Sequence, residues 1–172
     1  MRTNASGKCC HNSLLDGAQN IPSVLETITD LGMDSVALTE HGNMFGAVSF
    51  YKKAKDKNIK PIIGCEVYVA KGSRFQKDRS SGMGKYNHLV LIAQNYQGYK
   101  KLMKIVTHGY LEGFYYKPRV DTEILKKYNE GIICLSACLK GILPETLIYN
   151  GLEAGKKVAE EYSSIFPGRY YI

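Results

Sequence analysis

Val36-Ala-Leu-Thr-Glu-His-Gly-Asn-Met-Phe-Gly46 decides how this chain is read. An apolar run ends on a carboxylate, Glu40, and an imidazole, His41, and then turns through Gly42 and Gly46. Barrel folds place their chemistry at strand ends, and adjacent oxygen and nitrogen donors suit zinc, manganese or iron. Taken alone, the pair reads as an ordinary strand-to-helix turn with two polar residues.

Three further segments change that reading. Pro61-Ile-Ile-Gly-Cys-Glu66 is a second apolar strand closing on a carboxylate, and Tyr86-Asn-His-Leu-Val-Leu-Ile-Ala93 is a third with His88 at its start. Gly131-Ile-Ile-Cys-Leu-Ser-Ala-Cys138 is a fourth, ending in a thiol. Glu-His, Glu, His and Cys at or near the ends of four strands form a constellation that suggests a metal site.

Composition bounds the rest. The 172 residues suffice for one core, and 44% apolar with 23% charged residues is ordinary for a globular protein. No apolar run reaches the roughly 20 residues that span a bilayer, and the amino terminus lacks a secretory h-region; no membrane and a cytoplasmic location are expected. Five cysteines without a Cys-x-x-Cys unit exclude a disulfide scaffold and a structural zinc finger. A net charge of +7 favours anionic partners without demonstrating nucleic-acid binding.

Apolar periodicity predicts a helix over 21–31, a strand over 35–39, a helix over 45–57 and a strand over 61–70. A mobile loop over 72–84 follows, then a strand over 87–93, a helix over 96–110 and a short helix over 122–127. A strand over 131–135, a helix over 151–165 and a strand opening at 170–172 complete the chain. This alternation fits an α/β barrel or an open doubly wound sheet; periodicity does not separate them.

The stretches Ser13-Leu-Leu-Asp-Gly17, Thr39-Glu-His-Gly-Asn-Met-Phe-Gly46, Lys60-Pro-Ile-Ile-Gly-Cys-Glu-Val-Tyr-Val69 and His88-Leu-Val-Leu-Ile-Ala93 occur in family order. So do Glu112-Gly-Phe-Tyr-Tyr-Lys-Pro-Arg119 and Leu135-Ser-Ala-Cys-Leu-Lys-Gly141. From about Ser13 to Ile172 the chain resembles the polymerase-and-histidinol-phosphatase (PHP) domain of the kind at the amino end of bacterial DNA polymerase III alpha subunits. The resemblance implies a distorted (β/α)7 barrel, here incomplete: residues 1–12 divergent or disordered with the first strand degraded, 13–172 a partial PHP domain, and the C-terminal strands missing. It implies Glu40, His41, Glu66, His88 and Cys138 as ligands of zinc, manganese or iron, the first four also catalytic. Phosphoester hydrolysis needs a bound hydroxide and stabilised oxygens, which neighbouring metal ions supply; in a replicase this serves 3′-to-5′ removal of a misinserted nucleotide.

Two departures stand out. The family's opening His-x-His falls on Gly7 and Cys9, where Cys9 would have to act as a thiolate, and its late Asp-x-His lies beyond Ile172. Glu40 stands where the family usually has Asp. The site is therefore expected to be impaired. His11 reads as a surface residue and His108 as non-catalytic. Lys117 and Arg119 are candidates for phosphate or DNA contact, or equally for a salt bridge. DNA and other replicase subunits, the proofreading exonuclease among them, are the implied partners. Magnesium would serve the parent polymerase, whose nucleotidyltransferase site this chain lacks. The alternatives are a free-standing phosphoesterase of the histidinol-phosphatase type and a non-catalytic scaffold.

Overall fold

The computed structural model describes residues 7–8, 20–77 and 86–172. Helix α1 (Ile21–Asp30) starts where the Asn20 side chain accepts from the Ser23 N–H at 2.8 Å, with Pro22 in its first turn. It ends before Gly32, whose φ of +65° suits glycine. Val24, Leu25 and Ile28 face inward and pack with Phe50 and Ala54 of α2 (Ala47–Asp56) against Val36 and Leu38 of β2 (Ser35–His41).

Strand β2 pairs in parallel with the long β3 (Lys60–Ala70), as a strand–helix–strand unit requires. β3 then pairs antiparallel with β4 (Tyr86–Ala93), and β4 antiparallel with β7 (Ile132–Leu135). Helix α3 (Tyr96–Leu111), the strands β5 (Phe114–Tyr115) and β6 (Lys117–Val120), and α4 (Thr122–Tyr128) lie between β4 and β7. Helix α5 (Ile142–Ile165) joins β7 to β8 (Tyr170–Tyr171), which are parallel. The sheet path runs β1-β2-β3-β4-β7-β8, with β6 attached to β3 beyond the end of β2. This is a mixed α/β sheet, consistent with the incomplete barrel that the resemblance implies.

One face of the sheet carries the main core. Cys65, Val67, Leu89, Leu91 and Cys134 pack against Leu102 and Ile105 of α3, Ile124 of α4 and Tyr162 of α5. Each such aliphatic side chain gains about 1.5–3 kcal/mol on leaving water. Side chains alternate along a strand, so His41, Glu66, Tyr68, His88 and Val90 share the other face. The register brings His41 beside Glu66 and Tyr68 beside His88.

Several expectations are revised. A short β1 (Gly7–Lys8) pairs in parallel with Ala37 and Leu38, where the polar amino terminus argued against a first strand; backbone bonding suffices for two residues. The stretch between the helices expected over 96–110 and 122–127, to which periodicity assigns no element, holds a tight hairpin of β5 and β6 about Tyr116, whose φ is +60°. The expected helix over 151–165 is the second part of α5: Gly151, at φ +80° and ψ 179°, is non-helical and separates it from a further helical stretch that opens at Ile142 and that the apolar spacing did not reveal. Of the loop expected over 72–84, residues 78–84 lie outside the described residues, and Arg74 is buried at 5% exposure.

Candidate functional site

Three strands set the site. Glu66 lies between its neighbours: its Oε1 is 2.6 Å from His88 Nδ1 and 3.7 Å from His41 Nε2. The two imidazole rings meet edge-on with centroids 6.2 Å apart. Cys138 Sγ lies 3.8 Å from His88 Nδ1. It is carried by a turn tied to β4 through the His88 N–H donating to the Lys140 carbonyl at 2.9 Å. Ala137, at φ +66°, gives that turn its reversal. Thr39, Glu66, Val90, Leu135 and Cys138 line a cavity of about 370 Å³ on this face.

Burial pushes the Glu66 carboxyl up, but the hydrogen bond from His88 and the charges of His41 and His88 outweigh it and hold the group below the usual carboxylate range. Tyr68 walls the cluster on one side, its ring edge-on to His88 at 5.4 Å, while the Tyr86 ring runs parallel to His88 at 6.0 Å. Sequence reasoning missed both tyrosines. Tyr68 was accessible to it: two residues after Glu66 on one strand means the same face. Gly42 makes the close approach possible, since its φ is +68° and a Cβ there would lie 2.7 Å from the Tyr68 ring.

The structure brings His41, Glu66, His88 and Cys138 together. It does not bring Glu40, and its assignment as a ligand is corrected: strand alternation directs it to the opposite face from His41. There Glu40 is 1% exposed and its Oε2 accepts the Gly46 N–H at 2.9 Å. Helix α2 has no side-chain cap at Gly46, so this carboxylate sits where the helix dipole favours negative charge. Arg119 is corrected as well. Fully buried, it donates through Nε to the Gly113 carbonyl at 3.2 Å and through Nη2 to the carbonyls of Arg74 and Gln76. A guanidinium buried this way and bonded through Nε and Nη2 to backbone carbonyls holds the loop after β3, while its buried Nη1 has no hydrogen-bond partner among the described residues. Lys117 stays near the cluster, its Nζ 5.5 Å from the Tyr68 ring centre. Gly7 lies in β1, while Cys9 and His11 fall outside the described residues. His108 pairs with Glu112 and Tyr128, away from the cluster.

The donor set is chemically apt for a divalent ion, but its geometry is not. Among the described residues no group of three or more His, Cys, Asp and Glu could hold a metal ion as it stands. Glu66 and His88 satisfy each other; of the two upstream positions that the resemblance supplies, Gly7 has no side chain to donate and Cys9 lies outside the described residues. The arrangement holds a proton between a carboxylate and an imidazole, beside a second imidazole, at the wall of a cavity.

Comparison with known proteins places this geometry. A PHP domain family model matches residues 10–172. The chain is 46% identical over 161 residues to the DNA polymerase III subunit alpha of Borreliella burgdorferi, covering 93% of this chain and 14% of that protein. Against the same subunit of Treponema pallidum identity is 46% over 154 residues, covering 90% of this chain and 13% of that protein. For Thermus aquaticus it is 44% over 163 residues, with 93% and 13% covered. The chain thus spans about one-seventh of the length of these curated relatives.

Proposed function

We propose, from the premise that this chain belongs to the PHP domain family, that it is the amino-terminal PHP segment of a bacterial DNA polymerase III alpha subunit and serves DNA replication. The observation that supports this reading is likeness to alpha subunits across nearly the whole chain. The polymerase reaction, with its magnesium ions, would belong to other parts of such a parent. DNA and the other replicase subunits would be partners through it. Among the described residues no helix is long and apolar enough to cross a membrane, which accords with work in the cytoplasm.

PHP domains are generally metal-dependent. His41, Glu66, His88 and Cys138 are the residues here that correspond to such a role, with zinc, manganese or iron as candidates by donor type. They do not form a cage as they stand, so no hydrolytic step is assigned through a metal. What the chain's own residues do is narrower. Glu66 orients the His88 ring by holding its Nδ1, a pairing that also tunes ligating imidazoles in metal sites. Tyr68 and Tyr86 fix that ring from two sides, and Lys117 supplies positive charge near the rim. The phosphoesterase or 3′-to-5′ exonuclease chemistry of this site type is impaired in the chain.

A second role would need no metal. The domain then acts as a scaffold that packs on the polymerase core and receives the proofreading exonuclease. Elemental analysis of protein purified without chelator tests the impairment: well below one zinc, manganese or iron per chain is expected. Stoichiometric metal that is lost together with melting temperature in His41→Ala would show a live site instead. Turnover of p-nitrophenyl phosphate would point to the free-standing phosphoesterase.

A further inference from the structure

On the opposite face of the sheet, α1 packs on α2 and α3 packs on α4. No described residue between β3 and β4 forms a helix. The helical layer therefore has a gap between α2 and α3, over the outward side chains of Ile63 and Ala93. The gap is a groove of about 590 Å³, lined among others by Tyr51, Lys52, Ile63, Gln94, Tyr96 and Tyr99.

Its chemistry is unusual for an apolar groove. Tyr51 is 51% exposed and Tyr96 68%, so both rings present surface to the solvent. The Tyr96 and Tyr99 rings lie 6.4 Å apart and 23° from parallel. Lys100 Nζ sits 4.6 Å over Tyr96. Lys52 supplies the charge among the lining residues, and no carboxylate is among them. Lys53 and Lys55 extend the positive charge along α2 and Lys104 along α3, against Asp56 at the end of α2 and Glu130, 3.9 Å from Lys101. A groove made for a partner helix offers sockets for aliphatic knobs, whereas this one offers three tyrosines and no Leu, Phe or Met. Flat aromatic faces beside ammonium groups, with no carboxylate among the lining residues, match bases and phosphates.

We propose that this groove binds single-stranded nucleic acid, with bases stacked on Tyr51 and Tyr96 and phosphates met by Lys52 and Lys100. The site is separate from the His41–Glu66–His88 cluster, which lies on the other face, and it does not rest on what that cluster does.

The test is fluorescence anisotropy with a labelled oligo(dT) of about 12 nucleotides at roughly 50 mM salt, using the full chain. Tyr96→Ala should weaken binding about tenfold while Tyr96→Phe, which keeps the stacking face, binds as the parent. Lys52→Glu combined with Lys100→Glu should flatten the salt dependence by about 1.4 in log–log slope. His41→Ala and Glu66→Gln should bind normally. The proposal is overturned by absence of binding at that salt, or by unchanged affinity in a Tyr96→Ala protein with native circular dichroism. It is equally overturned if His41→Ala abolishes binding, which moves the ligand to the cluster. Dimers in the ultracentrifuge that dissociate on Tyr96→Ala would assign the groove to a second protein chain instead.

Discussion

Two clusters of charged side chains lie close to the end of β3, and they are built to different ends. Around Arg74 every strong group is answered. Its Nη1 donates to both oxygens of Asp121 at 3.0 Å and to Glu123 at 2.9 Å, and its Nε to Glu112 at 2.6 Å. Asp121 also accepts from the Arg74 backbone N–H and caps α4 through the Ile124 N–H. Burial works against the Arg74 charge, but hydrogen bonds to Glu112 and Glu123 and the charge of Asp121 hold its pKa above the ordinary value. Around Glu66 a single carboxylate faces two imidazoles and a thiol at the wall of a cavity. A closed network spends its groups on the fold; an open one leaves donors for something from outside.

The largest effect should come from the closed cluster. Asp121→Ala removes the buried partner of Arg74, which keeps Glu112 and Glu123, and uncaps α4, so urea unfolding should show a loss of about 2–4 kcal/mol. A loss under about 1 kcal/mol would erase the contrast. In the open cluster Glu66→Gln should cost less, about 1.5–3 kcal/mol at neutral pH, for one charge-assisted bond. Because the folded-state pKa of Glu66 is depressed, its contribution is present above the ordinary carboxylate pKa and disappears as pH falls through the folded value. The stability gap between parent and Glu66→Gln should therefore narrow as pH falls below the ordinary carboxylate pKa; a widening gap would reverse the assignment.

Gly42→Ala sharpens the comparison from the backbone side. It places a Cβ against Tyr68 at a left-handed residue and should cost about 1–2 kcal/mol. The His41 and His88 ring resonances should shift with it in NMR spectra, while those of His108 hold still. The smallest change is expected for Lys117→Ala, within about 0.5 kcal/mol by thermal unfolding, since its charge stands at the rim and holds nothing in place.

Much of this molecule was legible in its residues, and the failures have physical causes. Period-3.6 apolar spacing located α1, α2 and α3 because each buries one stripe. Runs of Val, Ile and Leu located β2, β3, β4 and β7 because their core faces are covered. The strand directions were not legible: β3 and β4 could pair in either sense until their antiparallel register was seen. Gly151 marks the start of the helix read over 151–165, while the helical stretch before it, from Ile142, was not legible in the apolar spacing. Glu40 and His41 looked like a pair because adjacency in sequence is not adjacency on a face, and Arg119 looked free because a sequence does not show which carbonyls surround a guanidinium.

By itself, then, the order of residues determined which segments become helices and strands and which family the chain resembles, because both depend on local spacing of side-chain types. Only the tertiary structure decided that Glu66 stands between His41 and His88, that Glu40 serves α2, and that a tyrosine-lined groove opens between α2 and α3. Those outcomes depend on register and on which elements cover which face, and these are set by contacts between residues far apart in the chain.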